Sequence, residues 1–584
     1  MTVGLVGSGP AAAAVEAALA DVDADLRAVD PSEVGRVETA VVVGDAGDGA
    51  FDRVNEAALD GGTPWLAVEL GGVGGAPVAE AAVAALSPAT ACYECLRGRV
   101  GANLDGESGD TVASGRGSAT GPPAHTARFA GALAGHALVR HLSDGEDVFG
   151  QVTEVGARPV ERELLGLPGC ACDEARHTAG STLDRSHADR DVDGALARAE
   201  RGVDERVGLV REVGEVESFP VPYYLAQTCE TSGFSDASAQ RQAAGVDAGW
   251  DGAFMKALGE AMERYCAGVY RRSELPRGLP ADVASSVPPS AFVCRDDPEV
   301  TAPLYWVAGE HLAAEDPTAT GEAVHLPAAF VLHPPPTERF RPPLTTGLGL
   351  GNGGVGALLA GLYEVVERDA TMLSWYSTAD PLELSVEDEV VGTLTDRARS
   401  EGLEVTLLFL TQDVDVPVVA AAVHRETWPR FALGSGANLD AAAAARSALA
   451  EALQNWTELR RMGRAGAREE SGAIARYADM PSSAADFVDA DATVPAASVS
   501  SPELSGEAEL EAVLSRLGDA GLDAYAARLT TRDVAALGFE AVRVVVPPAQ
   551  PLFLGDAYFG ERARTVPASL GFEARLDREH HPFP

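Results

Sequence analysis

The sequence predicts a two-part protein of the α/β and α+β classes, divided near residue 178. Three observations carry this. A chain of 584 residues is too long for one small core. Its opening, "TVGLVGSGPAAAAVEAALADV", reads as a short apolar strand, a glycine turn and an alanine-rich helix. Beyond the polar stretch "ARHTAGSTLDRSHADRD" (175–191), strands and helices mix, and a glycine-loop-then-helix unit recurs three times.

In the front part, "DLRAVD" and "ETAVVVGD" continue as strands, which completes a βαβ unit of nucleotide-binding type. Gly7 and Gly9, with Ala12 in third place, close the strand-to-helix turn. Asp30 stands about 20 residues on, where a ribose-binding acid would sit. Two readings stay open: a dinucleotide site, or a Rossmann-like unit whose glycines serve only the turn, the second being favoured. "DGESGDTVASGRGSATGPPAH" (105–125) predicts a mobile loop. In the body, "ALARAERG" predicts a helix, and "EVTLLFL" (404–410), "VPVVAAAVH" (416–424) and "EAVRVVVPP" (540–548) predict strands, the last an inner one.

Composition narrows the function classes. Acids outnumber bases 88 to 45, for a net charge of −43, yet the apolar fraction of 46% is that of an ordinary globular protein. Lys256 is the single lysine. Dispersed acids on a normal core predict a halophilic surface, because salt screens its self-repulsion. A nucleic-acid surface is excluded by the same numbers. The longest apolar runs fall short of the ~18–20 residues that span a bilayer. "MTVGLVGSGP" has no basic region ahead of its apolar part, so it reads as a strand, not a signal peptide, and the expected location is cytoplasmic. Seven cysteines do not make a disulfide framework. Cys92 and Cys95 form C-x-x-C and Cys170 and Cys172 form C-x-C, whereas Cys266 reads as a small buried residue.

The repeat carries the chemistry. "KALGEAMERY" holds Glu260, Glu263 and Arg264; "AGLYEVVERD" holds Glu364, Glu367 and Arg368; "SALAEALQNW" is an altered third copy with Glu451, Gln454 and Asn455. Each follows a glycine-rich approach, "AAGVDAGWDG", "TTGLGLGNGGVG" (with Gly347) and "GSGANLD" (with Ser435), and Asp251 and Asp440 are placed as N-caps. Glycine loops at helix starts expose backbone N–H groups suited to phosphate. Residues i and i+3 share a helix face. Two facing helices would therefore gather four carboxylates, which is costly without a cation. Glutamate oxygens suit Mg²⁺ bridged to substrate phosphates, and Arg264 and Arg368 suit phosphate oxygens. The bland alternative is three amphipathic helices with acids facing water; threefold recurrence behind glycine loops argues against it.

These motifs, with "SGFSDASAQRQAAG", "VRVVVPP" and the terminal "HHPFP", resemble the YcaO family of ATP-using peptide-backbone enzymes over roughly residues 180–584. The resemblance implies a mixed α/β domain that binds ATP and Mg²⁺. Carried over residue by residue, Glu260, Glu263, Glu364 and Glu367 would hold metal and phosphate. Arg368 and Arg264 would contact phosphate, with Gln454 and Arg543 as weaker counterparts. The implied reaction is attack of a Cys, Ser or Thr side chain on the preceding amide, transfer of the γ-phosphoryl of ATP to the amide oxygen, and loss of phosphate to give a thiazoline or oxazoline. Members often carry a basic G-K-G-like element before the first acid helix. Here Lys256, one turn ahead of Glu260, either replaces that charge or pairs with Glu260. The short proline tail favours cyclodehydration.

The front part, residues 1–178, is similar to the ThiF-like domains, related to ubiquitin-activating enzymes, that accompany such cyclodehydratases. That resemblance implies leader-peptide docking and a structural Zn²⁺ held by Cys92, Cys95, Cys170 and Cys172. Implied partners are a ribosomal precursor peptide, as in bacteriocin biosynthesis, and a flavin-dependent azoline dehydrogenase; a homodimer is expected. Two alternatives are kept: backbone thioamidation with a separate partner protein, and a sensor or scaffold binding NAD or FAD through Gly7, Gly9 and Asp30.

Overall fold

A computed structural model describes residues 1–584 except 21, 105–121, 174–181, 189–190, 297, 313–319, 470–471 and 502. Most of the expected loop at 105–125 and half of the polar stretch at 175–191 lie outside the described residues.

The front is one seven-stranded sheet of order β2-β1-β3-β4-β5-β6-β7, from β1 (Thr2–Val6), β2 (Asp25–Ala28), β3 (Thr39–Asp45), β4 (Trp65–Leu70), β5 (Ala81–Leu86), β6 (Gln151–Val155) and β7 (Val160–Glu163). The first four strands pair in parallel, and β5, β6 and β7 add antiparallel. Strands with both faces covered read as continuous apolar runs, and β3 and β5 do so. Helices α1 (Pro10–Leu19) and α4 (Ala124–Asp144) cover one face through Val3, Leu5, Val41 and Leu66. Helices α2 (Gly49–Gly61) and α3 (Tyr93–Asn103) cover the other. Gly7 has φ +100, and a Cβ there would lie 2.2 Å from the Val43 carbonyl oxygen. Packing thus requires glycine here under either reading of the turn. Asp30 lies two residues past β2 and leads a 3₁₀ turn.

The front does not close a core of its own on the α2/α3 side. Phe51, Trp65, Tyr93 and Leu96 belong to the same buried cluster as Ala257, Ala261, Met262 and Val534 from the body. One continuous core therefore runs across the expected boundary.

The body holds three more sheets. One is antiparallel, β10-β9-β8, from β8 (Val210–Glu217), β9 (Tyr223–Thr228) and β10 (Gln242–Val246). The second has order β11-β12-β20-β21-β14, with β13 also on β12, from β11 (Arg277–Gly278), β12 (Leu304–Leu312), β13 (Ala323–Pro327), β14 (Leu348–Gly351), β20 (Ala524–Arg528) and β21 (Glu540–Val545). Strand β21 is an inner strand, as expected, with β20 and β14 on either side. The third has order β18-β17-β16-β15-β19, with β15 at Leu382–Ser385, β16 at Glu404–Phe409, β17 at Val418–His424, β18 at Phe431–Ala437 and β19 at Thr493–Pro495.

Three long helices lie on these sheets: α5 (Trp250–Gly268) on β10 and β9, α6 (Gly354–Trp375) on β14 and β21, and α7 (Ala441–Ala467) on β18 and β17. The repeat has a packing cause. A glycine in each strand meets helix backbone so closely that any side chain would clash. Gly245 faces Ala253 and Ala257, Gly349 faces Ala357, and Gly434 faces Ala448. Glycine on the strand and alanine on the helix set the same strand–helix distance three times. Asp440 caps α7 by accepting from Ala442 N at 3.0 Å. Asp251 is not a cap: Gly249 holds that place on α5, and Asp251 sits in the first turn.

Candidate functional site

The acids follow the close-packed stretch in each helix: Glu260 stands three residues beyond Ala257, Glu364 three beyond Gly361 and Glu451 three beyond Ala448. In two units a backbone N–H from the adjoining strand or its approach holds that acid. Gly347 N donates to Glu364 Oε2 at 2.9 Å, and Ser435 N donates to Glu451 Oε2 at 2.6 Å. Gly347 has φ +88, which only glycine adopts without strain.

The second acids lie deeper. Glu263 and Glu367 keep 18% and 12% of their side-chain surface. Burial pushes Glu263 up to about 8; Arg264 opposes this, and Glu364 and Glu260 add to it. Burial likewise raises Glu367, against Arg368 and the Ser435 hydroxyl. Glu451 is pushed up to about 7 by burial, opposed by Arg368 and reinforced by Glu367 and Glu364. Five carboxylates from three helices thus lie close enough to act on one another: Glu263 feels Glu364 and Glu260, Glu367 feels Glu364, and Glu451 feels Glu367 and Glu364.

Arginines separate the acids. Arg264 Nη2 donates to Glu260 at 3.0 Å and its Nε lies 4.0 Å from Glu263 Oε1, while among the described residues its buried Nε and Nη1 make no hydrogen bond. Arg368 lies 3.4 Å from Glu367 and 3.9 Å from Glu364, and its Nη1 also reaches the Ser435 hydroxyl and the Pro584 carbonyl, each at 3.4 Å. Ser435 Oγ donates to Glu367 at 2.6 Å. Arg543, on β21, donates to the carbonyls of Thr345 and Leu344 at 2.7 and 2.8 Å, and so fixes the loop that presents Gly347. Burial and the cations Arg264 and Arg543 hold His333 down at about 4. The tail is anchored behind α6: Trp375 Nε1 donates to the Glu579 carbonyl at 2.9 Å, and His581 and Phe583 are buried.

Two expected residues sit differently. Lys256 does not pair with Glu260; its ammonium lies 2.7 Å from Asp247 and is half exposed. Gln454, one turn along from Glu451, donates to Glu458 Oε1 at 3.0 Å, which also accepts from Tyr223 OH. It sits where Glu263 and Glu367 sit in their helices, but the acid that the third helix brings to the others is Glu451. Its signal was position, three residues past the close-packed alanine, and not E-x-x-E spacing.

The chemistry of this donor set suits a magnesium-bound polyphosphate. Five carboxylates supply hard oxygen ligands, burial raises the proton affinity of Glu263, Glu367 and Glu451, and among the described residues Arg264 Nε and Nη1 make no hydrogen bond.

The second cluster joins front to body. Cys92 caps α3, Cys95 lies in its first turn, and Cys170 and Cys172 come from the loop after β7. Sulfur atoms lie 3.5 Å apart for Cys92–Cys170, 3.4 Å for Cys95–Cys172 and 3.9 Å for Cys92–Cys95. A tetrahedral S₄ site with metal–sulfur bonds of about 2.3 Å would space its sulfurs by roughly 3.8 Å. It is the one group of such ligands, among the described residues, whose donor atoms all lie within 4.8 Å of one another. The C-x-C spacing therefore does not prevent closure. Arg532, from the body, donates to Cys172 Sγ at 3.1 Å and to the Thr90 carbonyl at 3.1 Å. Its neighbour Asp533 forms a fully buried ion pair with Arg99 of α3 and accepts from Tyr265 of α5 at 2.7 Å.

Comparison with known proteins agrees with this geometry. The family model described as YcaO cyclodehydratase, ATP- and Mg²⁺-binding, matches residues 244–550, just over half of the chain. The chain belongs to the YcaO family of ATP-dependent cyclodehydratases. An uncharacterised protein of Methanothermobacter thermautotrophicus is 29% identical over 328 residues, which cover 53% of this chain and 82% of that protein. In fold, the chain is similar to a heterocyclase solved in complex with substrate and cofactor, with TM-score 0.73 and 20% identity over 98% of this chain and 83% of that one. It is also similar to the heterocyclase TruD, with TM-score 0.67 and 19% identity over 99% and 82%. Among the described residues, no helix is long and apolar enough to cross a membrane.

Proposed function

We propose that the chain converts Cys, Ser or Thr residues of a ribosomal precursor peptide into thiazolines or oxazolines. The observation that carries this is the convergence of five carboxylates from three helices, with Arg264 and Arg368 between them, against a tail whose Pro584 touches Arg368. When bound, ATP supplies the phosphoryl group that makes the amide oxygen able to leave. Glu260, Glu263, Glu364, Glu367 and Glu451 would hold Mg²⁺ and orient the phosphates. Arg368 and Arg264 offset charge as it develops. Ser435 and Gly347 fix the carboxylates they bond, and Arg543 fixes Gly347. Gln454 and Lys256 lie toward the rim, where contact with the nucleotide is a weaker role. The seated tail favours ring formation over thioamidation.

The front unit, residues 1–178, is assigned to docking of the leader, and Cys92, Cys95, Cys170 and Cys172 to a structural Zn²⁺ that the sulfur spacing fits. A cytoplasmic homodimer with a salt-adapted surface, serving a bacteriocin-type pathway alongside a flavin-dependent azoline dehydrogenase, completes the reading. The test is incubation with Mg²⁺, ATP and a Cys/Ser/Thr-rich peptide. Each ring is expected to cost the peptide one water and release one phosphate, and Glu263→Gln and Glu364→Gln to abolish both. A peptide that gains sulfur in place of oxygen, or is never altered, refutes this reading.

A further inference from the structure

Acids outnumber bases 88 to 45 along the chain, yet a cavity of about 280 Å³ at the far end of α7 reverses that balance. Arg464, Arg468 and Arg476 line it together with Trp428, and Asp479 is the single acid in the lining. Arg464 Nη2 engages Asp479 Oδ1 at 2.9 Å. Among the described residues, neither Arg468 nor Arg476 has a carboxylate within ion-pair reach. None of these side chains belongs to the carboxylate site.

The backbone builds this convergence. Gly463 interrupts α7 with φ +72 and ψ 162, a conformation essentially confined to glycine. A Cβ there would meet nothing, so the glycine serves the bend and not close packing. Past the bend, Arg464 and Arg468 stand one turn apart, and Arg476 comes from the short helix Ala473–Tyr477. The opposite walls are pinned. Arg430 donates from its backbone N to the Ala478 carbonyl at 2.8 Å and from Nη1 to the Asp479 carbonyl at 3.2 Å. Arg425 Nη2 donates to the Trp428 carbonyl at 3.0 Å.

We infer that this cavity binds a small nucleotide through its phosphates, without a metal. Guanidinium forks take phosphate oxygens two at a time. Two unpaired forks beside a third call for a ligand with more oxygens than one carboxylate carries. The indole of Trp428 in the same lining offers a flat surface to a base. The volume stands near the lower bound of small-molecule sites, ~300 Å³, which suits a mononucleotide and no macromolecule. Long-range attraction does not explain the arginines. The net charge of −43 repels anions, and salt screens charge beyond roughly 10 Å, so these side chains act by contact. A lone acid already paired with Arg464 does not hold Mg²⁺. This cavity and the carboxylates therefore differ in metal dependence. The inference does not rest on the peptide chemistry proposed above.

Equilibrium dialysis of the full chain against ADP, and separately against inorganic phosphate, tests it with EDTA present and potassium chloride held constant. Without Mg²⁺ the carboxylates repel phosphate, so one ADP per chain is expected, held at the arginines, and phosphate is expected to compete with it weakly. Arg468→Gln combined with Arg476→Gln should weaken this binding about 10-fold or more, with the unfolding midpoint and Mg²⁺-dependent nucleotide binding unchanged. Trp428→Leu should weaken ADP and leave phosphate as it was. The absence of metal-free ADP binding, or its persistence in the double arginine variant, refutes the site. Phosphate held as tightly as ADP, with no effect of Trp428→Leu, refutes the nucleotide as its ligand.

Discussion

The junction between Arg99 and Asp533 offers the sharpest test of how the two parts cohere. Both side chains are fully buried, Arg99 Nη1 donates to Tyr265 OH at 3.3 Å, and Tyr265 OH donates to Asp533 at 2.7 Å. Asp533→Ala leaves Arg99 with only neutral acceptors, Tyr265 OH and the Gly166 carbonyl at 3.4 Å, while its Nε is already unpartnered. An uncompensated buried charge costs about 3–5 kcal/mol, and the lost acceptor of Tyr265 keeps the cost toward the upper end. Arg99→Met should cost a similar amount by stranding the carboxylate. The pair Arg99→Met with Asp533→Leu removes both charges and should cost far less than either change alone. Denaturant unfolding followed by tryptophan fluorescence, as a double-mutant cycle at low and high salt, measures this. Salt should not alter the coupling, because water and ions do not reach the pair. A double variant that loses the sum of the two singles, or singles that each lose under about 1 kcal/mol, would refute this account of the junction.

Glu263 is held near 8 when folded, against about 4.3 when unfolded. The folded state thus keeps a proton that the unfolded state releases. Its stability contribution is full below the unfolded value and is lost as pH climbs through about 8. The ligand-free unfolding midpoint should fall over that window, Glu263→Gln should flatten the fall, and calorimetry in buffers of differing ionisation enthalpy should show proton release when Mg²⁺-nucleotide binds at neutral pH. Gly347→Ala would place a Cβ 2.1 Å from the Val544 carbonyl oxygen in a backbone conformation hostile to side chains; a stability loss of about 1–3 kcal/mol and weakened Mg²⁺-nucleotide binding are expected by thermal shift and titration. Arg532→Met removes an N–H donor from Cys172, so metal transfer to a chromogenic chelator should show affinity weakened about 10-fold or more.

Legibility in the sequence followed locality. The three acid helices were readable because glycine, alanine and glutamate recur at fixed spacing within each. Glu451 stands in the third copy where Glu260 and Glu364 stand in the first two, whereas Gln454 replaces the second acid of E-x-x-E, so that spacing alone does not single out Glu451. Asp251 looks like a cap by composition, but the chain enters α5 one residue earlier than that requires, at Gly249. The junction was illegible for a different reason. Arg99 and Asp533 are 434 residues apart, and neither carries a local pattern that announces a partner. The same holds for the core shared across residue 178, since apolar faces show that they are buried but not against what.

Helix α3 has two commitments within three turns. Its start contributes half of the cysteine quartet, and one turn later it sends Arg99 into the body beside Tyr265. Severing the chain near residue 178 and producing the pieces separately would expose the apolar surface around α2 and α3 that the body covers, and a stranded charge on each fragment. Grafting a foreign front unit in place of this one therefore means transplanting α3 together with the 532–533 corner it locks onto; modularity here ends at that helix, not near residue 178.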